Sequence, residues 1–258
     1  MINIGKSHDV IKYIKKIKTK SNEDIYIEDL SVLNFLMKEN KKLEIFIYCE
    51  ELIFSDDAKQ VVEYFKINSN NVYTVSKKLY EEIITKGFSA GVIGVYKYKF
   101  TSLDTIKDKG FVVVLDGLET PGNLGTIIRT CDSFNVDAII LVDSRTNVFN
   151  PKVVQSSRGM SLFIPIVNTT YEEAQKFLLD NNYDIYLGEP ELGKSYLDYE
   201  YNNKTALVFG NERFGINKNW YENNNLKLFI PMYGKMTSLN VCVAASIVIA
   251  YTGEKRHK

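Results

Sequence analysis

The chain has 258 residues, of which 45% are hydrophobic, so it can form one large globular domain or two modest ones. Its formal net charge is zero, which excludes a chain that is basic throughout and leaves only local patches to bind a nucleic acid. Because the N-terminus lacks the apolar core of a signal peptide and the cysteines are few and far apart, we predict a cytoplasmic protein without a membrane span, a disulfide or a metal site.

The first predicted element is a basic amphipathic helix over residues 7–19. Its lysines lie away from one apolar side, which is formed by Val10, Ile11, Ile14 and Ile17. These lysines can form a solvated helix face, or they can contact the backbone of an RNA.

Residues 25–100 alternate between strand-like and helix-like runs. We predict strands over 25–27, 44–48, 72–75 and 91–98, and helices over 32–40, 57–65 and 76–86. Ser76 is the predicted N-cap of the last helix, and Gly87 follows its C-terminus. Residues 1–98 are therefore predicted to form a small α/β domain without a catalytic cluster, and the polar residues 99–109 a linker.

The remaining residues, 110–258, again alternate strands with helices. The predicted strands are 111–115, 138–142, 162–166, 185–188, 206–210 and 228–230. Helices are predicted after 123, over 171–181 and from 238 onward, and residues 143–160 form a polar segment. This order predicts an α/β fold with a mostly parallel sheet and helices on both faces.

A first motif, Asn123-Leu-Gly-Thr-Ile-Ile-Arg129-Thr130, follows the strand that opens this second half. Asn123 comes directly after a Pro-Gly turn, where it can be the N-cap of the next helix. Arg129 is one of only five arginines in a lysine-rich chain. We therefore expect a partly buried guanidinium with an anionic partner.

A second motif, Gly210-Asn211-Glu212-Arg213-Phe214-Gly215, follows the buried strand 206–210. A glycine, a carboxylate and another glycine in this order are typical of a tight loop at the carboxyl edge of a sheet. By itself the motif could be only a turn.

The third motif lies in the stretch 228–252, where a short strand ends at Pro231 and an apolar helix starts near Ser238-Leu239-Asn240. Because this helix has no polar face, we expect it to be buried all round and its N-terminus to be held rigidly. Such a joint can bind a ligand, although a core helix with a serine cap is the alternative.

Together, NxGxxxRT, GNExxG and IPMxGxxxSLN resemble, in order and spacing, the SpoU (TrmH-like) branch of the SPOUT RNA methyltransferases. The resemblance implies a trefoil knot, a homodimer with the site near the subunit interface, and S-adenosylmethionine as the cofactor. Loop backbone would grip the cofactor at Gly210, Ile230 and Leu239, with Asn211, Met232 and Ser238 as neighbours. Arg213 departs from the family pattern, which often has glycine there.

The same resemblance implies methyl transfer to a ribose 2′-hydroxyl of RNA, with Arg129 as the base or as a charged group that binds a phosphate and stabilises the alkoxide. Glu212 could orient Arg129, and Asn123, Ser238 and Asn240 lie in the motifs near the catalytic centre. Cys131 and Cys242 could suggest nucleophiles, but their apolar neighbours favour packing. The chain has no G-x-G-x-x-G after a strand, so a dehydrogenase is unsupported.

Residues 1–98 are loosely similar to the ribosomal-protein-like RNA-binding domain of many SpoU enzymes, notably in the entry to the last strand over 87–92. This favours ribosomal RNA as the substrate. A transfer RNA remains an alternative, as does a non-catalytic RNA-binding assembly factor with the same fold.

Overall fold

The computed structural model describes residues 2–19, 23–85, 90–223 and 225–256. The chain divides into two compact units. The first comprises Met1–Lys99 and Phe149–Gly159, and the second comprises Phe100–Val148 and Met160–Lys258. The predicted helix stop at Gly87 lies outside the described residues.

The first unit is a five-stranded sheet with helices. The strand order is β1-β4-β3-β5-β2, in which β5 is antiparallel to both β2 and β3 and the other pairs are parallel. Its elements are β1 Ile2–Asn3, α1 Asp9–Thr19, β2 Asp24–Ile27, α2 Leu30–Lys38, β3 Leu43–Tyr48, α3 Asp56–Ile67, β4 Ser69–Thr74, α4 Lys77–Ile83 and β5 Val92–Lys97.

Helix α1 packs its predicted apolar side into this unit, where its isoleucines are buried. Two of its lysines are engaged within the unit, since Lys12 pairs with Asp9 and Lys18 Nζ donates to the carbonyl of Ile83 at 2.6 Å. The predicted cap Ser76 is confirmed, because its Oγ accepts a hydrogen bond from the amide of Leu79 at 3.4 Å.

The second unit is a seven-stranded sheet in the order β10-β12-β9-β11-β6-β7-β8, and every pairing in it is parallel. Strands β6, β7 and β11 are buried along their whole length, as expected for a parallel sheet covered on both faces. The predicted fold class is therefore confirmed.

The elements of residues 111–256 are β6 Phe111–Asp116, α5 Pro121–Ser133, β7 Ala138–Val142, α6 Pro151–Ser156, β8 Ile166–Thr169, α7 Tyr171–Asp180, β9 Asp184–Glu189, β10 Lys194–Ser195, β11 Thr205–Phe209, β12 Leu226–Phe229 and α8 Val241–Arg256. Helix α6 belongs to the first unit, and the other elements belong to the second.

The prediction of a strand over 162–166 is wrong. The strand instead begins at Ile166, directly after Pro165, which has no N–H to donate to a ladder. The polar segment 143–160, for which no element was predicted, contains α6, with Asn150 as its cap and Pro151 at its first position. Within the predicted linker, Ile106 is buried in the core of the second unit.

Helix α8 also differs from its prediction. It begins at Val241 rather than at Ser238, and only one of its sides is buried. On the other side Val243 is 45% exposed, and Ile247 and Ala250 are half-buried. A helix that is apolar all round is expected to be packed against protein on every side, whereas α8 is packed on one side only within this chain. Among the helices of the described residues, none combines the length and the apolar character needed to cross a bilayer.

Candidate active site

The three motifs meet at the carboxyl edge of the seven-stranded sheet. The first follows β6, the second follows β11, and these two strands are direct neighbours. The third follows β12, which is separated from β11 by β9 alone. The carboxyl ends of parallel strands lie at one edge, so loops that are distant in sequence become adjacent there.

A hydrogen-bonded chain of three side chains joins the motifs. Asn123 Nδ2 donates to Glu212 Oε1 at 2.8 Å, and Asn240 Nδ2 donates to Asn123 Oδ1 at 3.5 Å. Each motif thus contributes one member. Asn240 also caps α8, because its Oδ1 accepts from the amide of Cys242 at 2.9 Å.

Asn123 is not the N-cap of α5, so the capping alternative for this residue is wrong. Thr120 holds the cap position, Pro121 is the first helical residue, and Asn123 lies in the first turn. Proline fits the first helical position because its missing N–H would lack an intrahelical partner there anyway. The side chain of Asn123 is therefore free of capping and binds Glu212.

Glu212 accepts further hydrogen bonds from the β6–α5 loop. The amides of Glu119 and Thr120 donate to its carboxylate at 3.4 Å and 3.3 Å. Partial burial raises the pKa of Glu212, but the hydrogen bonds from Asn123, Thr120 and Glu119 outweigh it, and the net pKa lies below its usual range. Glu212 is therefore a carboxylate at neutral pH, and it orients Asn123 rather than Arg129.

Sequence reasoning missed the contribution of Glu119. Its amide binds Glu212, while its carboxylate pairs with Arg145 at 2.6 Å and its carbonyl accepts from the buried Thr146 hydroxyl at 2.5 Å. The only signal in the sequence was its place directly after a buried strand, at the edge where ligands bind.

The second motif is a tight turn closed by its own backbone. The amide of Asn211 donates to the carbonyl of Gly215 at 2.9 Å, and the amide of Gly215 donates back at 3.0 Å. Asn211 Nδ2 ties the turn to the carbonyl of Gly117 at 2.7 Å. Gly215 has φ +71°, and a Cβ on Gly210 would lie 2.2 Å from the carbonyl carbon of Gly215, so both positions require glycine.

Beside this turn is a cavity of about 750 Å³. All six predicted cofactor residues line it: Gly210, Asn211, Ile230, Met232, Ser238 and Leu239. Glu212 and Asn240 also line it, as do Gly188 and Pro190, which the sequence did not single out. Apolar walls from Leu228 and Val248, combined with loop backbone, suit a nucleoside that carries a polar tail, so the cavity fits the predicted cofactor.

Arg129 does not meet its prediction. Its side chain is exposed, and it makes no hydrogen bond or ion pair with any residue that the structure describes. It is also absent from the cavity lining. Arg129 lies six positions after Asn123, which is about 9 Å along the helix and roughly 240° around it, so the two side chains leave α5 in different directions.

Neither cysteine of the motifs is suited to nucleophilic attack. Cys131 is fully buried, and burial raises the pKa of both the Cys131 and the Cys242 thiols. A raised pKa keeps a thiol protonated and unreactive. No group of His, Cys, Asp and Glu within the described residues is arranged to hold a metal ion.

Comparison with known proteins identifies the family. Residues 110–250 match the sequence model of the SpoU rRNA Methylase family. The 23S rRNA (guanosine(2553)-2′-O)-methyltransferase RlmP of Bacillus subtilis is 35% identical over 138 residues, which are 54% of this chain and 56% of that relative. The chain therefore spans little more than half the length of this relative.

Solved structures agree in fold. The AdoMet-bound rRNA methyltransferase from Sinorhizobium meliloti superimposes with a TM-score of 0.86 at 23% identity, covering 100% of this chain and 98% of that one. The SpoU methyltransferase AviRb from Streptomyces viridochromogenes gives 0.84 at 19% identity, covering 97% and 98%. With more than half of its length matched by the family's sequence model, the chain belongs to the SpoU rRNA Methylase family.

Proposed function

We propose that the protein transfers a methyl group from S-adenosylmethionine to a ribose 2′-hydroxyl of ribosomal RNA. The observation that carries this proposal is the chain of hydrogen bonds from Glu212 through Asn123 to Asn240 beside the cavity. Folding alone does not require one polar residue from each of three distant motifs to meet at a cavity.

The cofactor would lie in the cavity between the second and third motifs. Gly210, Ile230 and Leu239 would hold it mainly through their backbone, with Asn211, Met232 and Ser238 beside them. When bound, S-adenosylmethionine supplies a methyl group that its positively charged sulfur has already activated. The protein is therefore left with two tasks, which are to align the hydroxyl and to ease the loss of its proton.

Glu212 and Asn123 perform the alignment. The carboxylate of Glu212 fixes the amide of Asn123, whose Oδ1 faces Asn240, so that the three polar groups form one preorganised surface. The guanidinium of Arg129 would bind a phosphate next to the target nucleotide and stabilise the developing alkoxide, while the proton of the hydroxyl passes to solvent. The alternative is that Arg129 itself accepts this proton as the base.

Two copies of the chain would complete the site. Arg129 lies outside the cavity of its own chain, and α8 carries a partly exposed apolar stripe, formed by Val243, Ile247 and Ala250, that a partner could cover. A second copy that packs on α8 would bury this stripe, and the Arg129 of the second copy would then lie toward the cavity of the first. The trefoil knot of the family remains part of the proposal.

Ribosomal RNA is proposed over transfer RNA because a separate α/β unit precedes the catalytic domain. Residues 1–98 would bind the RNA, residues 99–109 would connect the domains, and residues 110–258 would carry out the reaction. The relative RlmP acts on 23S rRNA by its name, which is consistent with this choice. Action on ribosomal RNA implies a location in the cytoplasm.

The proposal is tested in two steps. Calorimetry measures binding of S-adenosylmethionine, and a labelled methyl group is then followed into ribosomal RNA and into transfer RNA from cells that lack the protein. We expect saturable cofactor binding and label in ribosomal RNA. Label in transfer RNA alone would reassign the substrate, and RNA binding without methyl transfer would make the protein an assembly factor.

A further inference from the structure

The turn of the second motif exposes two side chains that the proposed chemistry does not use, Arg213 and Phe214. Phe214 is 75% exposed and Arg213 is exposed as well. Neither side chain makes a hydrogen bond, an ion pair or a ring contact with the residues that the structure describes. A large apolar ring and a guanidinium on consecutive residues are thus both exposed to solvent.

The turn that carries them is rigid. Asn211 Oδ1 accepts from the amide of Arg213 at 2.8 Å and from the amide of Phe214 at 3.1 Å, which fixes the backbone of both residues. The backbone pairing of Asn211 with Gly215 closes the turn beneath them. Because this backbone is already fixed, a ligand that binds the two side chains causes little further loss of backbone entropy.

Their position places them at the rim of the cavity. Phe214 lines the cavity together with Met236 and Leu239, which are 74% and 39% exposed. Glu212, which binds Asn123, is the residue directly before Arg213. The apolar rim and the hydrogen-bonded side chains Glu212 and Asn240 thus line the same cavity.

We propose that Phe214 stacks on an unpaired base of the RNA substrate and that Arg213 binds the phosphate beside that base. This inference rests on the proposed function and specifies its substrate as a single-stranded segment, such as a loop or a bulge. Bases that are free of pairing stack on aromatic side chains, and their phosphates attract guanidinium groups. A charge next to the ring favours a nucleotide over an apolar protein surface as the occupant.

The test uses the full chain and compares Phe214→Ala, Phe214→Tyr, Arg213→Ala and Arg213→Lys with the wild type. Leu179→Ala, a change at an exposed apolar residue of α7, is the matched control. We expect Phe214→Ala to raise the KM for ribosomal RNA about tenfold, while Phe214→Tyr preserves it, because one stacked base contributes about that factor. Arg213→Ala should reduce the salt slope of RNA affinity by about 1, and Arg213→Lys should keep most of that slope. Affinity for S-adenosylmethionine, measured by calorimetry, should stay unchanged in Leu179→Ala. Because Phe214 lies at the exposed rim of the cavity, Phe214→Ala should lower that affinity far less than it raises the KM for RNA.

Stacking is read out directly with a single-stranded oligoribonucleotide that carries 2-aminopurine, and with the same strand in a duplex. The wild type should quench the fluorescence of the single strand only, and Phe214→Ala should abolish the quenching. Unchanged KM and quenching in Phe214→Ala would overturn the inference while leaving the proposed function intact. A shift in sedimentation of Phe214→Ala would assign the ring to a second copy, and loss of cofactor affinity would assign it to the cofactor site; either result overturns the inference. A wild type that methylates no RNA would refute the proposed function itself.

Discussion

Among the single residues of the site, Glu212 occupies the central position. Its carboxylate accepts hydrogen bonds from Asn123 and from the amides of Thr120 and Glu119, so the second motif is held against the first through one side chain. These hydrogen bonds explain why the motif Gly-Asn-Glu ends in a carboxylate. An acceptor with two oxygens can bind a side-chain amide and two backbone amides at once.

The ionisation of Glu212 gives the first prediction. Asn123→Ala removes the closest of its donors, so the pKa of Glu212 should rise toward its usual value, as followed by NMR titration of its carboxyl carbon. Because the folded pKa is depressed, the stability that this network contributes is present above the unfolded pKa and is lost as pH falls through the folded pKa. Asn240→Ala, which removes no donor from Glu212, is the control. An equal pKa in wild type and Asn123→Ala would contradict the role assigned to Asn123.

Arg129 gives the second prediction at this scale. If its charge binds a phosphate and stabilises the alkoxide, Arg129→Lys should retain part of the methyl transfer and Arg129→Ala should lose nearly all of it. Calorimetry should show unchanged affinity for S-adenosylmethionine in both variants, since Arg129 does not line the cavity. Complete loss of transfer in Arg129→Lys with intact cofactor binding would favour the role of a base.

The turn of residues 210–215 is the element that shapes the cavity. Its closure depends on the close approach of Gly210 to the backbone of Gly215 and Ile216. The turn also presents Arg213 and Phe214 outward, so one short element serves both the cofactor cavity and the proposed RNA contact.

Gly210→Ala tests this element. The new Cβ would lie 2.2 Å from the carbonyl carbon of Gly215 and 2.3 Å from the amide nitrogen of Ile216, and such overpacking costs about 1–3 kcal/mol. We expect a lower free energy of unfolding in urea titrations and loss of cofactor binding. Gly122→Ala is the matched control, because nothing lies within 4 Å of its added Cβ and alanine favours the helix. Equal stability of the two variants would contradict the account.

At the scale of elements, the sequence predicted some features of the site and missed others. The resemblance to the SpoU family implied that Gly210 and Leu239 hold one cofactor, and both residues line one cavity. The sequence could not reveal that the amides of Glu119 and Thr120 bind Glu212, because the type of a residue does not show whether its backbone N–H is used as a donor. The strand predicted over 162–166 is wrong because it includes Pro165, which has no N–H to donate, and the strand begins after this residue.

At the scale of the whole molecule, the proposed dimer rests on the partly exposed stripe on α8 and on the position of Arg129 outside the cavity of its own chain. We predict that Val243→Glu, a charge introduced where the residue is 45% exposed, abolishes dimer formation in analytical ultracentrifugation. The circular dichroism spectrum should stay unchanged, and methyl transfer should fall with the dimer. Leu179→Glu, an equal change on the 45% exposed Leu179 of α7, should have no effect. A Val243→Glu dimer with full activity would exclude this interface.

The most direct test concerns the atom that receives the methyl group. Ribosomal RNA is incubated with the protein and methyl-labelled S-adenosylmethionine and is then hydrolysed with alkali, which cleaves only where a 2′-hydroxyl is free. We predict that the label resides in an alkali-resistant dinucleotide and that Asn123→Ala loses it. Label in mononucleotides, or transfer that persists in Asn123→Ala, would contradict the account.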